Sequence, residues 1–166
     1  MSDRLFLAAP VRLYDYENLR ASFSPLLQGR WRDEKTLHAT VAFLGSQFDA
    51  DTLIERLEGF DCSFTPSSFD RFGYFSNSRV FVALSDNPSF QQLRNRLETT
   101  LALTHESLRP HVTLMRVKSM FNDPFESLLK TPPSSPLGVM EPCIALYRST
   151  LLPEGAQYTI IREWRL

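Results

Sequence analysis

Two stretches of this sequence carry the same small device. Residues 37–45 read LHATVAFLG and residues 109–116 read RPHVTLMR. Successive side chains of an extended strand face opposite sides. His38 therefore shares a face with Thr40, and His111 with Thr113, while Leu37, Ala39, Val41 and Phe43, or Val112 and Leu114, take the other. The chain has three histidines, and two of them stand in this matching context. A neutral imidazole takes a proton and an imidazolium gives one, and an unperturbed pKa of about 6.5 makes both forms accessible at neutral pH. Two such groups facing one cleft can divide base and acid work across a reacting centre. Each threonine hydroxyl, roughly 6.5–7 Å along the strand from its histidine, can donate to an anionic oxygen held between the imidazoles. This combination suits phosphoryl transfer without a metal.

Other chemistries find less support. There is no HxH or HExxH spacing and no carboxylate beside either strand, so no metal or other cofactor is expected. No nucleophile elbow marks a Ser-His-Asp site. His105 has no counterpart and reads as a surface residue. Phe69, Phe72 and Phe75 read as core or hairpin packing in preference to a base-stacking platform. Arg116 is a candidate phosphate partner, although strict alternation puts it on the face opposite His111 unless the strand bends. Arg79 reads by itself as a solvated charge, and is carried with Phe43 and Tyr147 as a candidate substrate contact.

The elements that must position these groups follow from local signals. Residues 4–9 (RLFLAA) read as a first strand stopped by Pro10. Asp15 offers an N-cap to a helix with Tyr16, Leu19, Phe23 and Leu26 on one face, ending at Gly29. Residues 31–36 form a polar lead-in to the first His-x-Thr strand. Asp49 caps a second helix, and residues 67–74 and 80–84 (VFVAL) pair as a hairpin through Asn77-Ser78. Asn87-Pro88 starts a third helix with Phe90, Leu93, Leu97 and Leu101 inward. Asp123-Pro124 opens a short fourth helix, residues 131–136 (TPPSSP) form a surface loop, and residues 144–152 and 158–166 close the chain as a hairpin. Helices mixed with hairpins favour an α+β fold over a doubly wound parallel sheet.

With 166 residues, the chain is expected to form one domain spanning residues 1–166. Its 18 Lys and Arg nearly balance 19 Asp and Glu, which argues against wrapping long duplex nucleic acid but leaves room for a local phosphate site. Cys62 and Cys143 read as buried thiols in a reducing compartment. No targeting segment or long apolar run is evident, so a cytoplasmic location without membrane association is expected.

At the two motifs the sequence resembles the 2H phosphoesterase superfamily, and specifically the bacterial and archaeal RNA 2′,3′-cyclic phosphodiesterases, historically called 2′-5′ RNA ligases. RLFLAAP resembles the family's opening strand, and TLHATVAFLG its first HxTx motif. RFGYFSNSRVFVAL resembles its middle hairpin, LRPHVTLMRVK its second HxTx motif, and LYRSTLLPEGAQYTIIREWRL its closing hairpin. The resemblance implies a bilobal fold of two pseudo-symmetric α+β lobes around a groove. It also implies hydrolysis of RNA 2′,3′-cyclic phosphate ends to 2′-phosphomonoesters, with His38 as proton donor, His111 as proton acceptor, and Thr40 and Thr113 holding phosphate oxygens. Arg116 matches a basic position common after the second motif. Leu108-Arg109 stands where an aromatic commonly precedes the second Pro-His, and Arg148 where many members carry Glu. The partners implied are RNA ends or nucleotides bearing a 2′,3′-cyclic phosphate, with no obligate protein partner.

Three further readings share the pocket. Ligation of RNA ends through a 2′-5′ bond is the reverse use of the same site, 2′-5′ oligoadenylate phosphodiesterase activity is a related one, and a weakly catalytic RNA-end or nucleotide-binding module keeps the pocket without the turnover. Matched substrates separate the first two, and binding without product marks the third.

Overall fold

Short polar side chains start three of the four helices. In the computed structural model, which describes residues 4–166, Asp15 caps α1 (Tyr16–Phe23) by accepting from the Asn18 N–H at 3.2 Å. Asp49 caps α2 (Ala50–Arg56) through Thr52 N–H at 2.8 Å, and Asn87 caps α3 (Pro88–Leu101) through Phe90 N–H at 3.1 Å. Each side-chain oxygen satisfies a backbone donor that the first helical turn leaves unpaired. The fourth helix, α4 (Asn122–Lys130), has no side-chain cap.

The strands are β1 (Arg4–Leu13), β2 (Leu27–Trp31), β3 (His38–Gly45), β4 (Ser68–Phe69), β5 (Arg71–Phe75), β6 (Val80–Leu84), β7 (His111–Met120), β8 (Gly138–Met140), β9 (Cys143–Leu152) and β10 (Gly155–Arg165). They form two antiparallel sheets. The first runs β10-β9-β1-β8-β4 with β3 also paired to β1, and the second runs β2-β7-β6-β5. One His-x-Thr strand lies in each sheet. The apolar faces meet in a shared core in which Leu7, Val41, Phe69, Phe81, Leu93 and Leu114 are essentially solvent-free. This is the α+β architecture expected, with helices packed on antiparallel sheets.

Several boundaries differ from the sequence reading. β1 continues through Pro10 to Leu13, because Pro10 faces His38 in the ladder while the next amide, Val11 N–H, carries the bond to Leu37 O at 2.9 Å. A proline is tolerated where no ladder donor is required. The first helix stops at Phe23, and residues 27–31 form the strand β2 alongside β7. Gly29 is not a helix stop. It lies at an irregularity of that ladder, where a Cβ would collide with the Arg116 carbonyl. β8 was not anticipated either, being three residues long. Cys62 and Cys143 are buried free thiols, and no helix among the described residues is long and apolar enough to cross a membrane.

Candidate active site

Both His-x-Thr strands break their alternation at the same place. In the β1–β3 ladder Ala8 faces Thr40 and Leu7 faces Ala42, leaving Val41 as an extra residue. In the β6–β7 ladder Val82 faces Thr113 and Phe81 faces Met115, leaving Leu114 extra. A bulge of this kind shifts the side-chain phase by one. Val41 and Ala42 are both buried, as are Leu114 and Met115, and the residue five after each histidine emerges on the histidine's own side. Phe43, expected on the packing face, is 72% exposed. Arg116, expected on the opposite face, likewise points outward with His111 and Thr113.

A bulge leaves a carbonyl that the ladder does not use, and a buried carbonyl needs a donor. Leu114 O accepts from Arg32 N–H at 2.8 Å and from the Tyr16 hydroxyl at 3.2 Å. Val41 O accepts from Arg94 Nη1 at 3.2 Å. Arg94, on α3, is 5% exposed. Its Nε pairs with Glu98 at 2.7 Å and its Nη2 donates to Thr104 O at 2.8 Å. Glu98 also meets His105 Nδ1 at 2.8 Å. The β3 bulge carbonyl is thus latched by a side chain from α3, and the β7 bulge carbonyl by the Arg32 amide, with the Tyr16 hydroxyl of α1 shared between Leu114 O and Arg32 O.

The two imidazoles are held alike. His38 Nδ1 lies 2.7 Å from Thr36 O, and His111 Nδ1 lies 2.8 Å from Arg109 O. A carbonyl only accepts, so Nδ1 carries the proton in each ring and Nε2 is left with its lone pair. The rings are backed by aromatics. His38 sits 4.9 Å from Phe6, 5.3 Å from Tyr147 and 5.2 Å from Tyr158, and His111 sits 4.8 Å from Phe75. Burial in these surroundings pushes the His38 pKa down to about 4, a shift that the Thr36 carbonyl opposes and the charges of Arg32 and His111 reinforce. Burial lowers His111 as well, against the pull of the Arg109 carbonyl. Both rings are neutral at pH 7 in the free protein, and each presents a basic Nε2.

His38, Thr40, His111 and Thr113 all line one cavity of about 580 Å³, together with Phe43. Arg116 shares their face of the sheet but is not part of that lining. Arg79 lies elsewhere, with its Nη2 donating to Lys118 O at 2.8 Å. It holds a turn and does not reach the cavity. Tyr147 is 3% exposed and stacks on Phe6 at 4.9 Å, so it supports the His38 ring from behind. Phe75 divides from its neighbours: Phe69 is core and Phe72 packs on Phe23, whereas Phe75 abuts His111 and carries Arg109 at 5.2 Å above its ring. His105 is a surface residue engaged with Glu98. Among the described residues no group of three His, Cys, Asp or Glu side chains is placed to hold a metal.

The sequence reading missed Arg4, Arg32 and Tyr158, which also line the cavity. Tyr158 gave no period-two signal, because half-buried positions along β10 recur every third residue (Gly155, Tyr158, Ile161, Trp164). Arg32 follows an irregular edge strand and gave no such signal.

Known proteins of similar sequence and fold identify the family. Residues 32–135 match the family model of the 2′-5′ RNA ligase superfamily. An RNA 2′,3′-cyclic phosphodiesterase of Thermotoga maritima is 31% identical over 145 residues, covering 80% of this chain and 77% of its own. A second, of Methanocaldococcus jannaschii, is 29% identical and covers 80% and 82%. The crystal structure of E. coli LigT complexed with 3′-AMP superposes with a TM-score of 0.77 at 23% identity, over 100% of this chain and 99% of that one. The chain adopts the LigT fold and belongs to the 2′-5′ RNA ligase superfamily.

Proposed function

We propose that residues 1–166 act as one catalytic unit that hydrolyses RNA 2′,3′-cyclic phosphate ends to 2′-phosphomonoesters by paired-histidine acid-base catalysis. The observation that carries this reading is the convergence of two identically bulged His-x-Thr strands, one per sheet, on a single cavity. The relatives named RNA 2′,3′-cyclic phosphodiesterase support the choice of substrate.

The cyclic phosphate sits between the imidazoles, with Thr40 and Thr113 donating to its non-bridging oxygens. His111 Nε2 takes a proton from water as the water oxygen bonds to phosphorus. The bond from phosphorus to the 3′ oxygen breaks, and His38 Nε2–H gives that oxygen its proton. The product keeps its phosphate on the 2′ oxygen. Phe43 offers an exposed aromatic face to the base and Arg116 a charge on the same side of the sheet.

His38 is neutral in the free protein, so its acid form is generated with the substrate in place. The phosphate's negative charge favours the imidazolium and raises its pKa. The two buried thiols support a reducing, cytoplasmic setting.

The direct test is turnover of an RNA oligonucleotide ending in a 2′,3′-cyclic phosphate, in EDTA, with the product position read by phosphorus NMR. Wild type is expected to yield a 2′-phosphate. His38→Ala and His111→Ala each lose about 10²–10⁴ in rate. Near-normal turnover by both variants would end the two-histidine account.

A further inference from the structure

The catalytic cavity does not stop at His38. A second cavity of about 560 Å³ abuts it, and the two share Arg32, Thr36 and Tyr158 in their walls. Arg32 is half-buried, and its main chain is clamped on both sides: its N–H donates to Leu114 O at 2.8 Å and its carbonyl accepts from the Tyr16 hydroxyl at 2.7 Å. The backbone is therefore fixed by the same bulge that shapes the second His-x-Thr strand, and the side chain is delivered to the junction. Among the described residues the Arg32 guanidinium makes no ion pair and no hydrogen bond. A half-buried, unpaired guanidinium beside an anion site is an unspent set of donors in fork geometry, suited to phosphate oxygens.

The charge pattern along the two cavities locates the anion. Asp33 and Glu154 line the second cavity and not the first, with Arg30 beside them, and Arg4 lines the first and not the second. Asp33 is engaged in accepting from Lys35 N–H at 3.0 Å. The residues common to both cavities are one cation, one hydroxyl and one aromatic. Tyr158 lies with its ring 5.2 Å from that of His38, so the junction adjoins the His38 end of the first cavity.

We propose that Arg32, at the junction of the two cavities, forms a second anion subsite for the phosphate on the 5′ side of the terminal nucleotide. The protein thereby selects an RNA strand end, or a 5′-phosphorylated cyclic nucleotide, over an isolated nucleoside 2′,3′-cyclic phosphate. This deepens the reading of the previous subsection and rests on it. The scissile phosphate has two threonines and two imidazoles of its own, whereas the next phosphate along the strand has Arg32.

The experiment compares kcat/KM for adenosine 2′,3′-cyclic phosphate with and without a 5′-phosphate, and for the ApA dinucleotide carrying the same cyclic end. A charge-assisted contact predicts a preference of about 10-fold or more for both extended substrates in wild type. In Arg32→Gln the preference ratio falls to about 1, and Arg32→Lys retains part of it. A wild-type ratio near 1, or a ratio undiminished in Arg32→Gln, overturns the subsite. So does an equal loss on all three substrates, which would assign Arg32 to the scissile phosphate. A preference for the 5′-phosphorylated mononucleotide without one for the dinucleotide would keep the subsite and restrict it to free nucleotides. Calorimetry with adenosine 2′,5′-bisphosphate against 2′-AMP reads the same ratio without turnover. A protein that hydrolyses neither cyclic substrate yet binds the bisphosphate more tightly through Arg32 would keep the subsite and lose the cyclic-phosphate reading.

Discussion

Replacing Arg94 with Met separates the fold's stability from the shape of its first His-x-Thr strand. Methionine keeps much of the apolar stem volume of arginine and removes every donor. Three bonds go at once: to Glu98 at 2.7 Å, to Thr104 O at 2.8 Å and to the Val41 bulge carbonyl at 3.2 Å. Both charged side chains are largely out of water, at 6% and 11% exposure. Removing one partner of a buried pair costs about 3–5 kcal/mol. Glu98 retains His105 and the Glu106 N–H, so the lower end, about 3 kcal/mol, is expected. For a chain of this size that lowers Tm by roughly 6–12 °C.

The double variant Arg94→Met with Glu98→Leu sharpens the test. Exchanging a whole buried pair for apolar residues is often neutral or better, so much of the lost Tm returns. Val41 O still lacks its donor, and the bulge that turns Phe43 outward is no longer latched. Activity on a cyclic-phosphate substrate, assayed well below Tm, is therefore expected to stay about 10-fold down in both variants. Wild-type kcat/KM in the double variant would refute the latch, as would a loss of less than 1 kcal/mol in the single one.

Three other outcomes follow from the same geometry. Because the folded protein holds His38 at about 4 against about 6.5 when unfolded, the unfolded chain binds the extra proton between those values. Stability is full above pH 6.5 and falls by up to about 3 kcal/mol as pH drops toward 4; denaturant titrations of wild type and His38→Asn check this, the variant having the flatter profile. The His38 and His111 C–H resonances of the free protein are expected to titrate low, with the His38 midpoint moving up when 2′-AMP binds; an unmoved midpoint would contradict the proposed role of His38 as acid. Gly29→Ala, which drives a Cβ into the Arg116 carbonyl, should cost about 2 kcal/mol, seen as a lower urea midpoint with unchanged slope.

What the sequence disclosed and what it hid divide along a physical line. Caps at Asp15, Asp49 and Asn87 involve a side chain and an amide three residues on, so they are visible in any short window. The pairing of His with Thr on one face needs only a period of two. The bulges at Val41 and Leu114 were invisible, because an apolar residue there reads like any other strand position and the slip exists only relative to β1 and β6. β2 was hidden for a similar reason: LQGRW has no alternation and becomes a strand because β7 offers it an edge. Arg94 left a faint trace. It stands between Phe90 and Leu97 on the buried side of α3, with Glu98 four residues on, which is how a buried ion pair writes itself into a helix.

The likeness of the two bulged strands carries a consequence for direction. Each presents an imidazole with Nδ1 tied back two residues, a hydroxyl, and an outward side chain five places on. A phosphate centred between them meets nearly the same neighbours if the ligand is turned end for end. Neither histidine is marked as acid or base by its own strand, and handedness is imposed by what differs: Phe43 opposite Arg116, and Arg32 with Tyr158 on the His38 side against Arg109 with Phe75 on the His111 side. The donor is whichever imidazole the seated sugar turns its leaving oxygen toward. An analogue whose base and phosphate contacts invite the opposite seating would exchange the two roles and still leave the phosphate on the 2′ oxygen, because the same 3′ oxygen departs.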